Sequence, residues 1–169
     1  EHHFEPDGYV PNPIPLMTAV AQRCPTMKVG SDLFVLPNWH PVRLAEDIAM
    51  VDILSEGRVL FKAGAGGLYR GIMAGMGYAP DTQLGRNAEC LAIIRKCWTE
   101  DVFDHHGRYF QLEGVRATPR PVQQPHPPIF LPAPPRALRF MTPSSPHDWS
   151  LWMTAAFTLA LLAGLVGLS

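Results

Sequence analysis

A chain of 169 residues with a formal net charge of −1 is long enough to bury one core, and it has no basic field to favour nucleic acid. Charged residues make up only 17%, below the roughly 25% usual for soluble domains, and the 18 prolines are many, with a cluster of them in the second half. The three cysteines, Cys24, Cys90 and Cys97, are odd in number and lack metal-ligand spacing. That argues against a disulfide framework or a metal site and predicts reduced thiols in a cytoplasmic setting.

In chain order, the first feature is Glu1-His2-His3-Phe4, two imidazoles between an acid and a phenylalanine. It reads either as an expression tag, though tags usually carry longer histidine runs, or as a strand end that bears chemistry. Residues 13–23, "PIPLMTAVAQR", predict a short helix with proline near its start and Arg23 near its end. Residues 28–36, "KVGSDLFVL", predict a strand closed by Pro37, and its nearly unbroken apolar run suits burial on both faces. Residues 42–55 predict a helix with Leu44, Ile48, Val51 and Leu54 on one stripe, ended by a left-handed turn at Gly57. Residues 58–63 form the next strand. Gly64, Gly66 and Gly67 follow at once, and a loose glycine-rich segment runs to residue 80.

Residues 83–99 predict the longest helix, with Leu84, Ala88, Leu91, Ile94 and Trp98 on its apolar face and Asp81 or Thr82 as its cap. Cys90 and Cys97 lie seven apart on it, so both can face a core. Arg86 and Glu89 lie one turn apart and predict an ion pair. His105 and His106 are adjacent, without acids or cysteines at useful spacing, and read as a solvated turn rather than a metal site. The segment 105–128 reads as a proline-rich excursion with short strands around Tyr109–Leu112, and residues 127–133 as another buried strand. Alternating strands and helices mean an α/β fold with parallel strands and right-handed crossovers. Trp149 to Leu168 carry no charge over a length that can span a bilayer, although no lysine or arginine flanks them. This predicts an apolar C-terminal helix. It is read as a membrane span, an edge-covering segment, a buried helix of a larger barrel, or an altered reading of the terminus.

Four stretches carry a resemblance. They are "EHHF" at 1–4, "VLPNWHPVRLAEDIAMVDILSEGR" at 35–58, "GAGG" at 64–67 with "RNAECLAIIRKCWTE" at 86–100, and "HGRYFQLEGVRATPRPVQQPHPPIF" at 106–130. In this order they resemble the bacterial luciferase-like flavin monooxygenases, whose (β/α)8 barrel is shared with deazaflavin-dependent reductases. The resemblance implies a partial barrel at residues 1–141, covering about strands two to five with parallel strands, followed by a non-matching tail at 142–169. It places "EHHF" at the end of the second barrel strand.

The resemblance also implies a chemistry. The cofactor is reduced FMN, supplied by a partner flavin reductase and used with oxygen on a small organic substrate, or alternatively F420 in a hydride transfer. It assigns proton handling to His2 and cofactor contacts to Glu1, Leu36, Pro37, Gly64, Gly66, Gly67 and Tyr69. Glu1 would touch the flavin or orient a neighbour. Leu36 and Pro37 would form a wall where family members lay the flavin ring, often over a strained peptide. An imidazole suits proton transfer near neutral pH, and glycines after a strand let backbone approach a ligand closely. The family usually shows Gly-x-Gly-Arg-Gly here. This chain has Gly67 at the arginine and Leu68 at the last glycine, so the cation for the flavin phosphate is absent or falls to Arg70. A homo-oligomer is compatible with this reading. The competing expectation is a truncated, non-catalytic homologue whose exposed strand edges pair with another chain or whose apolar tail meets a membrane.

Overall fold

In the computed structural model the chain is described at residues 1–4, 6, 10–67 and 69–132, and these belong to one compact unit, Glu1–Pro132. The expected apolar helix, the 149–168 span and the boundary at 141/142 lie outside the described residues. Among the described residues, no helix is long and apolar enough to cross a membrane.

Helix α1, Pro13–Arg23, starts where the Asn12 side chain accepts a hydrogen bond from the Ile14 N–H at 3.0 Å, and it buries Met17 and Ala21. Its last carbonyls are met from across the fold. The Arg58 guanidinium donates to the carbonyls of Ala21 (2.9 Å), Cys24 (2.9 Å) and Met27 (2.6 Å), supplying donors that a helix end otherwise lacks.

The strand expected over 28–36 is interrupted. It forms β1, Val29–Gly30, and β2, Phe34–Val35, both paired in parallel with β3, Val59–Gly64. Val29 and Gly30 sit opposite Val59 and Leu60, while Phe34 and Val35 sit opposite Ala63 and Gly64. Ser31, Asp32 and Leu33 therefore lie opposite Phe61 and Lys62 alone, one residue too many. The interruption is a bulge, with a cis Asp32–Leu33 peptide inside it and an Asp32–Lys62 ion pair of 2.5 Å across it.

A 3-10 turn at Leu36–Asn38 leads into α2, Pro41–Leu54. Leu44, Ile48 and Val51 are buried as expected, together with Ala45 and Ala49, whereas Leu54 is half exposed because the helix is ending there. Glu56 and Gly57 adopt φ of 54° and 79°, and the Gly57 N–H returns to the Asp52 carbonyl at 2.8 Å, closing the helix in the left-handed turn that the glycine announces. After β3, the segment expected to be loose contains a short helix, α3, Arg70–Gly75.

Helix α4, Gln83–Thr99, has the expected length but a rotated face. Cys90, Ile93, Ile94, Cys97 and Trp98 are buried, while Leu84 is 73% exposed and Ala88 is exposed. Its first turn is anchored by a polar residue instead: the Gln83 amide donates to the carbonyls of Ala65 (2.7 Å) and Gly67 (3.1 Å). Thr82 does not cap the helix through its side chain, because its hydroxyl donates backward to the Ala79 carbonyl. Both α4 cysteines are buried as predicted, and desolvation pushes each thiol up to about 12, which leaves them protonated and inert.

The excursion is an antiparallel hairpin, β4 at Phe103–His106 and β5 at Gln111–Val115. The chain then returns in β6, Ile129–Phe130, which pairs in parallel with β3. The β1/β2 line, β3 and β6 thus stand side by side in sequence order. Helix α1 packs on α2 and α2 on α4, again in sequence order. One core fills the space between helices and sheet, with Val29 of β1, Phe34 of β2, and Val59, Phe61 and Ala63 of β3 as strand contributions. An aromatic run crosses it: Trp39 lies edge-on to Phe34 (6.1 Å), Phe34 stacks on Phe61 (5.4 Å), and Phe61 meets Trp98 edge-on (5.3 Å).

The proline-rich return is pinned by one buried acid. Asp52 has no exposed surface, and its carboxylate accepts the Gln123 backbone N–H at 2.9 Å and side-chain amide at 2.7 Å; the same amide also donates to the Val59 carbonyl. Replacing Gln123 with methionine keeps the volume and removes the side-chain donor from a fully buried carboxylate. The expected loss is about 2 kcal/mol, read as a lower urea midpoint with an unchanged denaturant slope.

Candidate functional site

Glu1 is the centre of the region where "EHHF", the β2 end and the glycine loop meet. Its side chain is fully buried. Oε2 accepts the Val35 N–H (3.1 Å) and the Trp39 indole N–H (2.8 Å), and Oε1 accepts the Asn38 amide (2.9 Å) and faces His3 Nε2 at 2.9 Å. Four donors around one carboxylate satisfy a charge that burial would otherwise make very unfavourable. Asn38 passes the network on, its Oδ1 accepting the Tyr78 hydroxyl at 2.9 Å. Burial and then the Glu1 charge push the Tyr78 phenol up, while the Arg86 guanidinium opposes them. Arg86 lies against two rings, its Cζ 5.7 Å from the Tyr78 centroid and 5.2 Å from that of Tyr109.

Beside this network is an opening of about 580 Å³ lined by His3, Phe4, Tyr69, Arg70, Gly71, Ile72 and Gly75. Tyr69 is half exposed, and its ring lies 6.0 Å from that of His2. Gly66 and Gly67 are exposed, and Gly66 takes φ of 78° with its α-carbon hard against Val35, a position where a β-carbon would collide. Gly64 ends β3 and is buried against Leu33 and Pro132. Arg70 is exposed at the rim and carries no ion pair or hydrogen bond among the described residues.

The structure thus gathers Glu1, His2, Gly66, Gly67 and Tyr69 at the end where the parallel strands β2 and β3 finish. Leu36 and Pro37 follow β2 directly but are buried in the 3-10 turn, where the Leu36 carbonyl accepts the Trp39 N–H. The irregular peptide falls at Asp32–Leu33 rather than at 36–37. Sequence reading gave no role to Asn38, Trp39, Tyr78 or His3. "PNW" was on the page, but only the fold shows that its polar groups turn toward Glu1.

Two expectations about the excursion are corrected. Glu89 does not pair with Arg86. It accepts the backbone N–H groups of Arg108, Tyr109 and Phe110 at 2.8 to 3.2 Å and faces His105 Nε2 at 3.4 Å, because the hairpin turn folds its donors onto α4. His105 and His106 belong to strand β4 rather than to a turn. No metal-binding group of three or more His, Cys, Asp or Glu side chains occurs among the described residues.

Burial pushes the Glu89 carboxyl up, but the hydrogen bonds from Tyr109, Arg108, His105 and Phe110 outweigh it and hold the group below its ordinary value. A depressed folded-state value stabilises above the unfolded value, about 4.3, and is lost as pH falls through the folded one. Glu89→Gln is therefore expected to cost about 2 kcal/mol in urea unfolding at pH 7, and the gap to the parent protein is expected to close toward pH 3.

Comparison with known proteins places the chain in a family. The family profile for luciferase-like monooxygenase matches residues 1–143. The oxygenase component of a flavin-dependent trigonelline monooxygenase from Acinetobacter baylyi is 32% identical over 136 residues, which cover 79% of this chain and 37% of that protein. An F420-dependent glucose-6-phosphate dehydrogenase from Amycolatopsis mediterranei is 28% identical over 128 residues, 72% of this chain and 38% of that protein. A monooxygenase structure from Streptomyces bottropensis superposes with a TM-score of 0.73 at 28% identity, covering 78% of this chain and 40% of the other. The chain spans less than half the length of these relatives. With the profile matched over most of its length, the chain belongs to the luciferase-like monooxygenase family.

Proposed function

We propose that this chain is the sector of a luciferase-like barrel that holds about strands two to five, and that it serves a flavin-dependent monooxygenase acting on a small organic substrate with reduced FMN and oxygen. Strands advancing in sequence order, with their helices side by side on one face, support the barrel reading; a doubly wound sheet would reverse its strand order and cover both faces. The observation that carries the functional reading is the buried Glu1 carboxylate, which ties "EHHF" to the end of β2 beside the glycine loop. Barrel enzymes place their chemistry at this end of their strands.

The residues present fit a flavin. The opening has the volume of small-molecule and cofactor sites, and its rim offers an exposed aromatic ring, the cationic Arg70, which has no ion pair among the described residues, and glycine backbone without side chains. Tyr69 would pack against the ring system, Gly66 and Gly67 would let the backbone approach it, and Arg70 would meet the phosphate in place of the missing family arginine. When bound, reduced flavin supplies the electrons that activate oxygen. His2 would move a proton beside Tyr69. Glu1 acts as an orienting residue, since its oxygens are taken by four protein donors. Leu36 and Pro37 would contribute the wall behind the site, and Gly64 its floor.

The relative named as an oxygenase component supports a separate flavin reductase as partner. The similarity to an F420-dependent dehydrogenase supports a second reading, hydride transfer with F420. One anaerobic titration separates them: reduced FMN and reduced F420 are added in turn while tryptophan emission is followed. Saturable binding of reduced FMN, weakened about tenfold by Tyr69→Ala, is expected. Binding of F420 alone would select the second reading, and binding of neither would overturn both.

A further inference from the structure

We propose that His3, held by the buried Glu1 carboxylate, is a second imidazole of the opening and accepts a proton there through Nδ1. The proposal rests on the flavin-site reading above but concerns a residue to which that reading gives no role.

Three observations carry it. His3 lines the opening, and its side chain keeps 13% of its surface exposed. Its Nε2 lies 2.9 Å from Glu1 Oε1, and the Glu1 side chain is fully buried. The same carboxylate is clamped by the Val35, Asn38 and Trp39 donors, so it cannot swing away from the imidazole. His2, by contrast, lies against Tyr69 and anchors its backbone to the Val10 carbonyl.

The chemistry follows from the pairing. A carboxylate only accepts, so the neutral His3 ring carries its proton on Nε2, and Nδ1 is left with a lone pair. Among the described residues no hydrogen bond reaches Nδ1. A ligand O–H or N–H in the opening can give its proton to Nδ1: that bond breaks, Nδ1–H forms, and the ligand keeps the electron pair. The imidazolium faces the Glu1 carboxylate at 2.9 Å, and the proton leaves later to water through the same opening. Among the described residues the charged and titratable neighbours are Glu1 on one side, Tyr69 and Arg70 across the opening, His2 next in the chain, and Tyr78 through Asn38. Arg70 at the rim disfavours a second positive charge but favours a ligand that has become an anion. The arrangement is that of an oriented base, a ring held in one tautomer by a buried acid.

Two measurements test it in the full chain. Nitrogen-15 imidazole spectra are expected to show His3 as the Nε2–H tautomer, moving to mixed-tautomer shifts in Glu1→Gln. His3→Ala is expected to slow consumption of bound reduced FMN in air about 100-fold while its affinity for reduced FMN changes less than about threefold. Millimolar imidazole should restore part of the rate. An Nδ1–H tautomer in the parent protein would overturn the proposal, as would a His3→Ala rate within about threefold of the parent. Should neither FMN nor F420 bind, the flavin-site reading fails, whereas the tautomer measurement still decides the Glu1–His3 pairing.

Discussion

The arrangement at the strand ends depends on one ionised group kept out of water. Among the described residues Glu1 forms no ion pair with a lysine or arginine, and a bare carboxylate buried there would be strongly disfavoured. What makes it tolerable is a ring of donors drawn from different parts of the chain: a strand N–H, an amide, an indole and an imidazole. Satisfying that charge requires β2, the turn after it and the "EHHF" segment to converge. Removing any donor leaves charge uncompensated, so the constraint is cooperative. The Asn38–Tyr78 bond extends it to the segment that leads into α4.

Elsewhere in the fold, charged side chains again organise backbone rather than one another. Arg58 collects three carbonyls at the end of α1, Asp52 holds the proline-rich return, and Glu89 collects three N–H groups of the hairpin turn. Each reaches a segment that has no regular ladder of its own. This accounts for motifs far apart in sequence: "VDILSEGR" and "PRPVQQ" touch through Asp52 and Gln123, and "RNAEC" and "HGRYF" touch through Glu89. Surface pairs such as Arg43–Asp47 and Arg120–Asp101 contribute much less, because water already solvates both partners.

Much of the architecture was legible from local pattern. Helices α1, α2 and α4, strand β3 and the turn at Gly57 lie where periodicity, proline and glycine put them. The misses have a common cause, in that the deciding partner is remote. Periodicity placed Leu84 in the core, yet α4 is turned by Gln83 reaching the carbonyls of the glycine loop and by Trp98 donating to Ala45. Arg86 and Glu89 looked like partners because they are one turn apart, but three N–H groups of the hairpin turn take the carboxylate while the guanidinium lies against the Tyr78 and Tyr109 rings. Helix α3 sits among glycines that weaken any local helix signal. "EHHF" pointed to the site, but which imidazole meets the acid is a matter of side-chain placement that spacing does not encode.

The extra residue at 31–33 also sets the phase of everything after it. Side chains along a strand alternate between faces, so an odd-numbered inward position such as Val29 would ordinarily carry 31, 33 and 35 inward with it. The insertion reverses this parity, and the even-numbered Phe34 enters the aromatic run while Val35 is turned toward the glycine loop. Deleting a single residue there would exchange the two faces of β2, taking the phenylalanine out of its stack and withdrawing the valine from Gly66. A small irregularity in the edge line thereby decides which surface of the sheet is wall and which is filling.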